Sequence, residues 1–220
     1  MSHYTQKQFI GWVREALPER FQAQKVLEVG SLDINGSARS FFSGCDYTGI
    51  DVGSGPGVDV VCGGQDYEAP DASFDVACSF EAMEHNPYWK ETFANMIRML
   101  KPGGMLLMSC ATAGRPEHGT ARSKPGDSPL TIGIGWDYYR NLRRSDFEQA
   151  FALEREFSMY YAGHYYQGCD LFFFGFKAGV PAPANAPALR ASLRRRYALR
   201  NLLSLEALVI RAKVATGRLR

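Results

Sequence analysis

Short apolar runs alternate with segments of helical periodicity along residues 25–111, and this alternation constrains the chain more than any other feature. "KVLEVG" (25–30), "DYTGID" (46–51), "VDVVC" (58–62), "SFDVACSF" (73–80) and "MLLMSCA" (105–111) read as strands. Most are nearly continuous in apolar character, as strands buried on both faces must be. Between them, 36–43 is compatible with a short helix. Residues 87–100 set Trp89, Phe93, Ile97 and Leu100 on one helical face before "KPGG" stops the turn. A helix over 7–17 precedes the first strand, with Phe9, Ile10, Val13 and Leu17 on one side and Pro18 at its end. That order predicts an α/β fold whose parallel sheet is covered by helices. "REFSMYY" (155–161) and "DLFFFGFKA" (170–178) add two strands with no long helix between them, hence an antiparallel pair. Ser145 and Glu148 form a capping-box pattern for a short helix before this pair. The expectation is a Rossmann-like, seven-stranded, mostly parallel sheet with its last strand antiparallel and helices on both faces.

Charge divides the chain. Residues 1–189 hold 16 Lys and Arg against 22 Asp and Glu, a balance of −6; residues 190–220 hold nine basic residues and Glu206, a balance of +8, and the sum is the net +2. "GVPAPANAP" (179–187) is rich in proline and small residues. Three segments follow: a body over 1–178, a Pro/Ala linker over 179–189 and a basic amphipathic helical tail over 190–220. The five cysteines are scattered and none sits in a metal-like pair, which points to reduced thiols and no structural zinc. No stretch approaches the ~18 apolar residues of a membrane span. "MSHYTQKQFIGW" lacks the layout of a secretory signal, so a cytoplasmic protein is expected.

The turn after the first strand carries the first functional signal. Gly30 and Gly36 are separated by five residues, Ser31, Leu32, Asp33, Ile34 and Asn35, which departs from the G-x-G-x-x-G cradle of a pyrophosphate. It suits a ligand that needs close approach at Gly30 alone, with Asn35 supplying a left-handed turn. Asp51 ends the second strand, 21 residues after Gly30, where an acid accepts both hydroxyls of a ribose. A ribose without a phosphate nest describes S-adenosylmethionine.

"VLEVGS" (26–31), "YTGIDV" (47–52), "SFDVACSFEAMEH" (73–85) and "MLKPGGMLLMS" (99–109), in this order, resemble the class I S-adenosylmethionine-dependent methyltransferases, especially the broad group acting on small molecules. The resemblance covers most of residues 25–178. It implies that Gly30 lets the methionine part of the cofactor pack on the loop. Glu28 helps to hold its amino end, Asp51 takes the ribose and Val52 flanks the adenine. Asp66, with Gln65 as rival, lies near the adenine amine, and Phe80 and Glu81 line the other side. Ser31 and Asn35 belong to the same set, although Ser31-Leu32-Asp33 stand where the family usually has further glycines.

Methyl transfer from a sulfonium needs alignment, a dry site and, for a hydroxyl acceptor, a base. His85 in "EAMEHNPYW" is the foremost candidate base, because it follows the fourth strand, where the sheet's carboxyl end opens, and its ordinary pKa suits proton transfer near neutrality. Glu84 orients or replaces it, and His118 in "GRPEHGT" is the alternate; the bland reading makes His85 a helix cap. Arg115, Tyr138, Tyr139 and Arg140 suit a polar acceptor such as a polyol. His164 reads as structural. No paired acids at metal-ligand spacing stand out, so neither magnesium nor any other metal is expected. The reading is a methyltransferase acting on a small-molecule or glycan-like hydroxyl, as in surface-polysaccharide or secondary-metabolite assembly. The rival is a non-catalytic cofactor-binding protein whose tail recruits a partner. For the tail, contact with an anionic membrane surface or a protein competes with folding back on the acidic body; nucleic acid is disfavoured because the body shows no basic face.

Overall fold

The computed structural model describes residues 4–219. Helix α1 (Tyr4–Ala16) buries Phe9, Ile10 and Val13 and ends before Pro18, which opens a single 3-10 turn. Strands β1 (Lys25–Val29), β2 (Asp46–Asp51), β3 (Val60–Val61) and β4 (Phe74–Phe80) follow. Then come α2 (Trp89–Met99), β5 (Leu100–Ala111), α3 (Pro129–Gly133), α4 (Arg144–Ala150) and α5 (Leu153–Glu156). The body closes with β6 (Phe157–Tyr165) and β7 (Asp170–Lys177), and α6 (Ala186–Leu203) and α7 (Leu205–Ala215) complete the chain. One seven-stranded sheet runs in the order β3-β2-β1-β4-β5-β7-β6. β7 inserts between β5 and β6 and is antiparallel to both. Four residues join β6 to β7, far too few for the crossover that a parallel pair requires.

Two cores flank the sheet. Phe9, Val26, Phe172, Phe174 and Leu193 belong to the face covered by α1 and α6. Leu27, Phe93, Phe147 and Phe173 belong to the face covered by α2 and α4. The alternation of Phe172, Phe173 and Phe174 between the two is the period-2 rule acting on a strand buried on both sides.

Several boundaries differ from the sequence reading. The expected helix over 36–43 is one 3-10 turn, Ala38–Phe41, and β3 keeps only two of five expected residues because its exposed edge has a single neighbour. "KPGG" is not a loop: β5 starts at Leu100, and an irregularity in its pairing with β4 absorbs the extra residues, with Gly103 at φ +72°. The helix start read at Ser145 and Glu148 is shifted. The Asp146 carboxylate accepts from the Arg143 N–H at 2.7 Å, while Glu148 accepts from the Arg144 guanidinium. All five cysteines are free thiols.

α6 begins inside the stretch read as linker, and it folds back on the body. Leu189, Leu193 and Tyr197 are buried, and Tyr197 stacks on Phe172 with ring centroids 5.1 Å apart. Arg196 and Arg200 lie over the Trp12 ring at 4.7 and 5.0 Å, and Arg200 donates to Gln8. The far side of the α6–α7 pair is bare, with Leu202, Leu203 and Leu205 exposed. Among the described residues no helix is long and apolar enough to cross a membrane.

Burial separates these leucines by consequence. Leu193→Ala is expected to lower unfolding stability in urea by about 2–5 kcal/mol, and Leu203→Ala by less than about 0.5 kcal/mol. Equal effects would contradict the docking of α6.

Candidate active site

The chain leaves β1 through Gly30 at φ +79°, a conformation that L side chains rarely adopt, and a Cβ there would stand 2.3 Å from that of Ala82. Farther along, the Gly36 N–H donates to Asp33 Oδ1 at 2.6 Å, and Gly36 takes φ +109°. The left-handed residue is therefore Gly36, and Asn35, whose φ is not positive, does not make that turn. The Asp51 carboxylate accepts from the Leu32 N–H at 3.0 Å and the Val52 N–H at 2.8 Å, which fixes it at the end of β2. Burial raises its pKa, and those two amides hold it down.

A cleft with about 430 Å³ of empty space opens here. Gly30, Asp51, Glu81, Ala82 and His85 line one side, and the segment 127–131 forms the other. An adenosine joined to an amino acid fits this donor set. A carboxylate with lone pairs to spare faces the cleft where two hydroxyls are to be bound. The floor at Gly30 has no side chain, so a ligand can approach the backbone there.

At the carboxyl end of β4 the chain turns sharply, with Glu81 at φ +54°. Strain of this kind persists only where surroundings enforce it. Ser109 donates to Glu81 Oε1 at 2.9 Å, and Arg115 pairs with Glu81 Oε2 at 3.1 Å and Asp170 Oδ1 at 3.0 Å. Thr5 donates to the other Asp170 oxygen. One terminal nitrogen of the Arg115 guanidinium is thus tied to two buried acids. Burial and the neighbouring Glu81 push Asp170 up to about 8, against the pull of Arg115.

Beside this network lie Glu84, His85, His118 and Tyr139. The His85 and His118 ring centroids are 5.0 Å apart, and Tyr139 lies 5.5 Å from the first and 4.9 Å from the second. Glu84 Oε1 accepts from the Ala111 N–H at 3.1 Å, and burial raises the Glu84 pKa well above the usual range, with Glu81 adding to it. Burial drives His85 down to about 3, and His118 reinforces this, so its ring is neutral at pH 7. The ordinary imidazole pKa expected from sequence does not survive enclosure. One ligand atom each from Glu84, His85 and His118 lie within 4.8 Å of one another. Chain spacing hides this cluster, because His118 arrives from 33 residues away.

Other expected site residues stand apart from the cleft. Glu28 is buried and accepts from the Tyr47 hydroxyl at 2.8 Å, and Phe80 packs in the α1-side core. Both face away because strand alternation puts them on that side of the sheet. Ser31 is buried behind the loop. Gln65 and Asp66 bond each other beyond β3, and Val52 flanks Asp51 without lining the cleft. Arg140 pairs with Asp146, and Tyr138 is half-buried; the Tyr138 main chain hydrogen-bonds the His85 ring. His164 accepts from the Arg144 N–H, as a structural residue does. Sequence reading missed Leu32 and the segment 127–131, although Ser128-Pro129 is a helix-start signal.

Residues 1–160 match a family described as a methyltransferase domain. No curated protein matches the chain. Among solved structures, the chain is similar to Haemonchus contortus phosphoethanolamine N-methyltransferase 2 in complex with phosphomonomethylethanolamine and S-adenosylhomocysteine. That identity is 17%, over 78% of this chain and 53% of that one, with a TM-score of 0.56. The chain thus spans about half the length of the Haemonchus enzyme. Burkholderia thailandensis 1,6-didemethyltoxoflavin-N1-methyltransferase, with bound 1,6-didemethyltoxoflavin and S-adenosylhomocysteine, is 15% identical over 80% of each chain, with a TM-score of 0.52. The YcgJ protein of Bacillus subtilis is 14% identical over 79% of this chain and 100% of that one, at 0.51. At these identities the likeness is one of fold.

Glu28 yields a pH test. Burial pushes its pKa from 4.5 to about 7, with the Tyr47 hydrogen bond opposing. The folded state therefore keeps a proton that the unfolded state releases, and this residue's contribution to stability falls as pH rises from about 4.5 to 7. Glu28→Gln is expected to remove a fall on the order of 3 kcal/mol between pH 4.5 and 8, read as the difference between the variant and wild-type urea curves. Parallel pH dependences would contradict the assignment.

Proposed function

The chain belongs to the class I S-adenosylmethionine-dependent methyltransferases, and on that premise we propose that it methylates a hydroxyl of a small-molecule or glycan-like acceptor held beside the cofactor cleft. The observation that carries this reading is the Glu84–His85–His118–Tyr139 cluster, which adjoins the cleft at the carboxyl ends of β4 and β5. S-adenosylmethionine supplies an electrophilic methyl on a sulfonium sulfur. The protein supplies position, exclusion of water and a place for the acceptor's proton.

Gly30 admits the close approach of the cofactor's amino-acid end, and Asp51 accepts the ribose hydroxyls. The segment 127–131 covers the cleft, with Leu130 over the backbone of Gly53. A second pocket, lined by Arg115, Pro116, His118 and Lys124 among others, shares Asp127 with the cleft and is the natural place for the acceptor. His85, neutral and enclosed, offers a ring lone pair rather than a proton, so it seats a hydroxyl and does not compete with it as a donor. Tyr139 packs on both imidazoles and supports this reading as a backing for them, with its hydroxyl donating to Asn141 at 2.8 Å. A purely cofactor-binding protein would have no use for such a cluster, and this favours the enzyme over its rival. For the tail, we propose contact with an anionic membrane surface. Exposed Leu202, Leu203, Leu205 and Val209 stand with exposed Arg195, Arg211 and Lys213 on the α6–α7 pair.

Asp51→Ala is expected to weaken binding of S-adenosylhomocysteine by about 1–3 kcal/mol in calorimetry. His85→Ala is expected to lower kcat on a panel of sugars and phenols by about a hundredfold or more while that affinity stays within twofold. Unchanged affinity in the first variant removes Asp51 from the site, and an unchanged rate in the second removes His85 from the chemistry.

A further inference from the structure

We infer that Glu84, His85 and His118 form a binding site for one divalent first-row transition metal ion of the zinc class, between the cofactor cleft and the acceptor pocket. The donors come from two chain segments that follow β4 and β5, and one ligand atom from each lies within 4.8 Å of the others. Each side chain is anchored by its other polar atom to the main chain. The Ala111 N–H donates to Glu84 Oε1 at 3.1 Å, and His118 Nδ1 lies 3.0 Å from the Pro116 carbonyl. The Tyr138 main chain bonds the His85 ring. Metal-ligating imidazoles are oriented in this way, with one ring nitrogen on a carbonyl and the other turned to the ion.

What remains after anchoring is the unusual part. Among the described residues, Glu84 Oε2 and His85 Nδ1 have no hydrogen-bond partner, although the two residues are 0% and 2% exposed. Buried polar atoms are nearly always satisfied, and each failure costs about 1–3 kcal/mol. Two such atoms in one cluster, with His118 beside them, are explained by a ligand that accepts lone pairs. Three carboxyl groups, Glu81, Glu84 and Asp170, cluster around the single cation Arg115, surroundings that favour a further positive charge.

Two imidazoles and one carboxylate suit zinc, with a fourth position left open. Bonds of about 2.0–2.2 Å place tetrahedral donors about 3.3–3.6 Å apart, so the shell tightens by about 1 Å on binding. His118 sits on the connection after β5 and is the ligand best able to move. His85 lines the cofactor cleft and His118 the neighbouring pocket, so the ion stands where the two meet. Binding of the metal is independent of the acceptor reading. With the ion bound, the His85 lone pair is taken by the metal, and the acceptor oxygen is held at the open position instead of on the ring; that use rests on the acceptor reading.

The test uses the full-length protein, stripped with a chelator and titrated with Zn²⁺ and, as a spectroscopic probe, Co²⁺; S-adenosylhomocysteine binding is measured on the same samples. One equivalent of either ion is expected per chain, with a visible ligand-field band for Co²⁺. His118→Ala, on a connecting loop, and Glu84→Gln are each expected to raise the dissociation constant at least tenfold and to alter that band. No saturable uptake by wild-type protein, or uptake unchanged in both variants, overturns the inference. Uptake without S-adenosylhomocysteine binding upholds the metal site while refuting the cofactor reading, and the reverse result refutes the metal site alone.

Discussion

The contact between Gly30 and Ala82 holds the rest of the site in place. These residues follow β1 and β4, the two neighbouring strands at which the strand order reverses direction. From β1 the chain proceeds outward through β2 and β3, and from β4 through β5. The connections after β1 and β4 therefore diverge and leave a crevice at the carboxyl edge. Because glycine adds no Cβ, the two turns close against each other at the base of that crevice. Asp51, one strand over, is pinned by the Leu32 amide of that β1 turn and by the Val52 amide beside it, and lines the same space.

Buried charge does the equivalent work on the other side. Glu81 occupies a strained left-handed conformation that a lone strand end would not keep. Ser109 on β5 and Arg115 on the loop after it hold its carboxylate, and Asp170 on β7 holds Arg115 in turn. Pairs of this kind are costly to break from one side, since removal of one partner leaves an uncompensated ion. The network therefore fixes the point from which Glu84 and His85 project.

Much of the fold is written in local pattern. β1, β4 and β7 carry apolar runs bounded by polar or turn residues, and no alternative element suits them. Gly30, Asp51, Glu81 and His85 line the cleft, and their place there is legible because each stands at or beyond a strand's carboxyl end. The side taken by Glu28 and Phe80 is not legible, because membership of a strand end does not tell which face a side chain takes, and alternation turns both toward α1. Asn35 was given a conformation that Gly36 adopts more cheaply. Arg115 was read as free because its two acidic partners lie 34 residues before and 55 residues after it. The segment 127–131 has no periodicity, and its place over the cleft is set by tertiary packing alone. The meeting of His85 with His118 is of the same kind, and so is the docking of α6, where burial of Tyr197 against Phe172 outweighs the basic character of the helix.

The central claim is that the ends of β1, β2 and β4 form a pocket for the adenosine and amino-acid parts of a methyl donor. Determination of the structure with S-adenosylhomocysteine bound tests it most directly. The account predicts the ribose hydroxyls on the Asp51 carboxylate, the amino-acid end over Gly30 and the sulfur turned toward His85. A ligand seated elsewhere, or no uptake at saturating concentration, would contradict it.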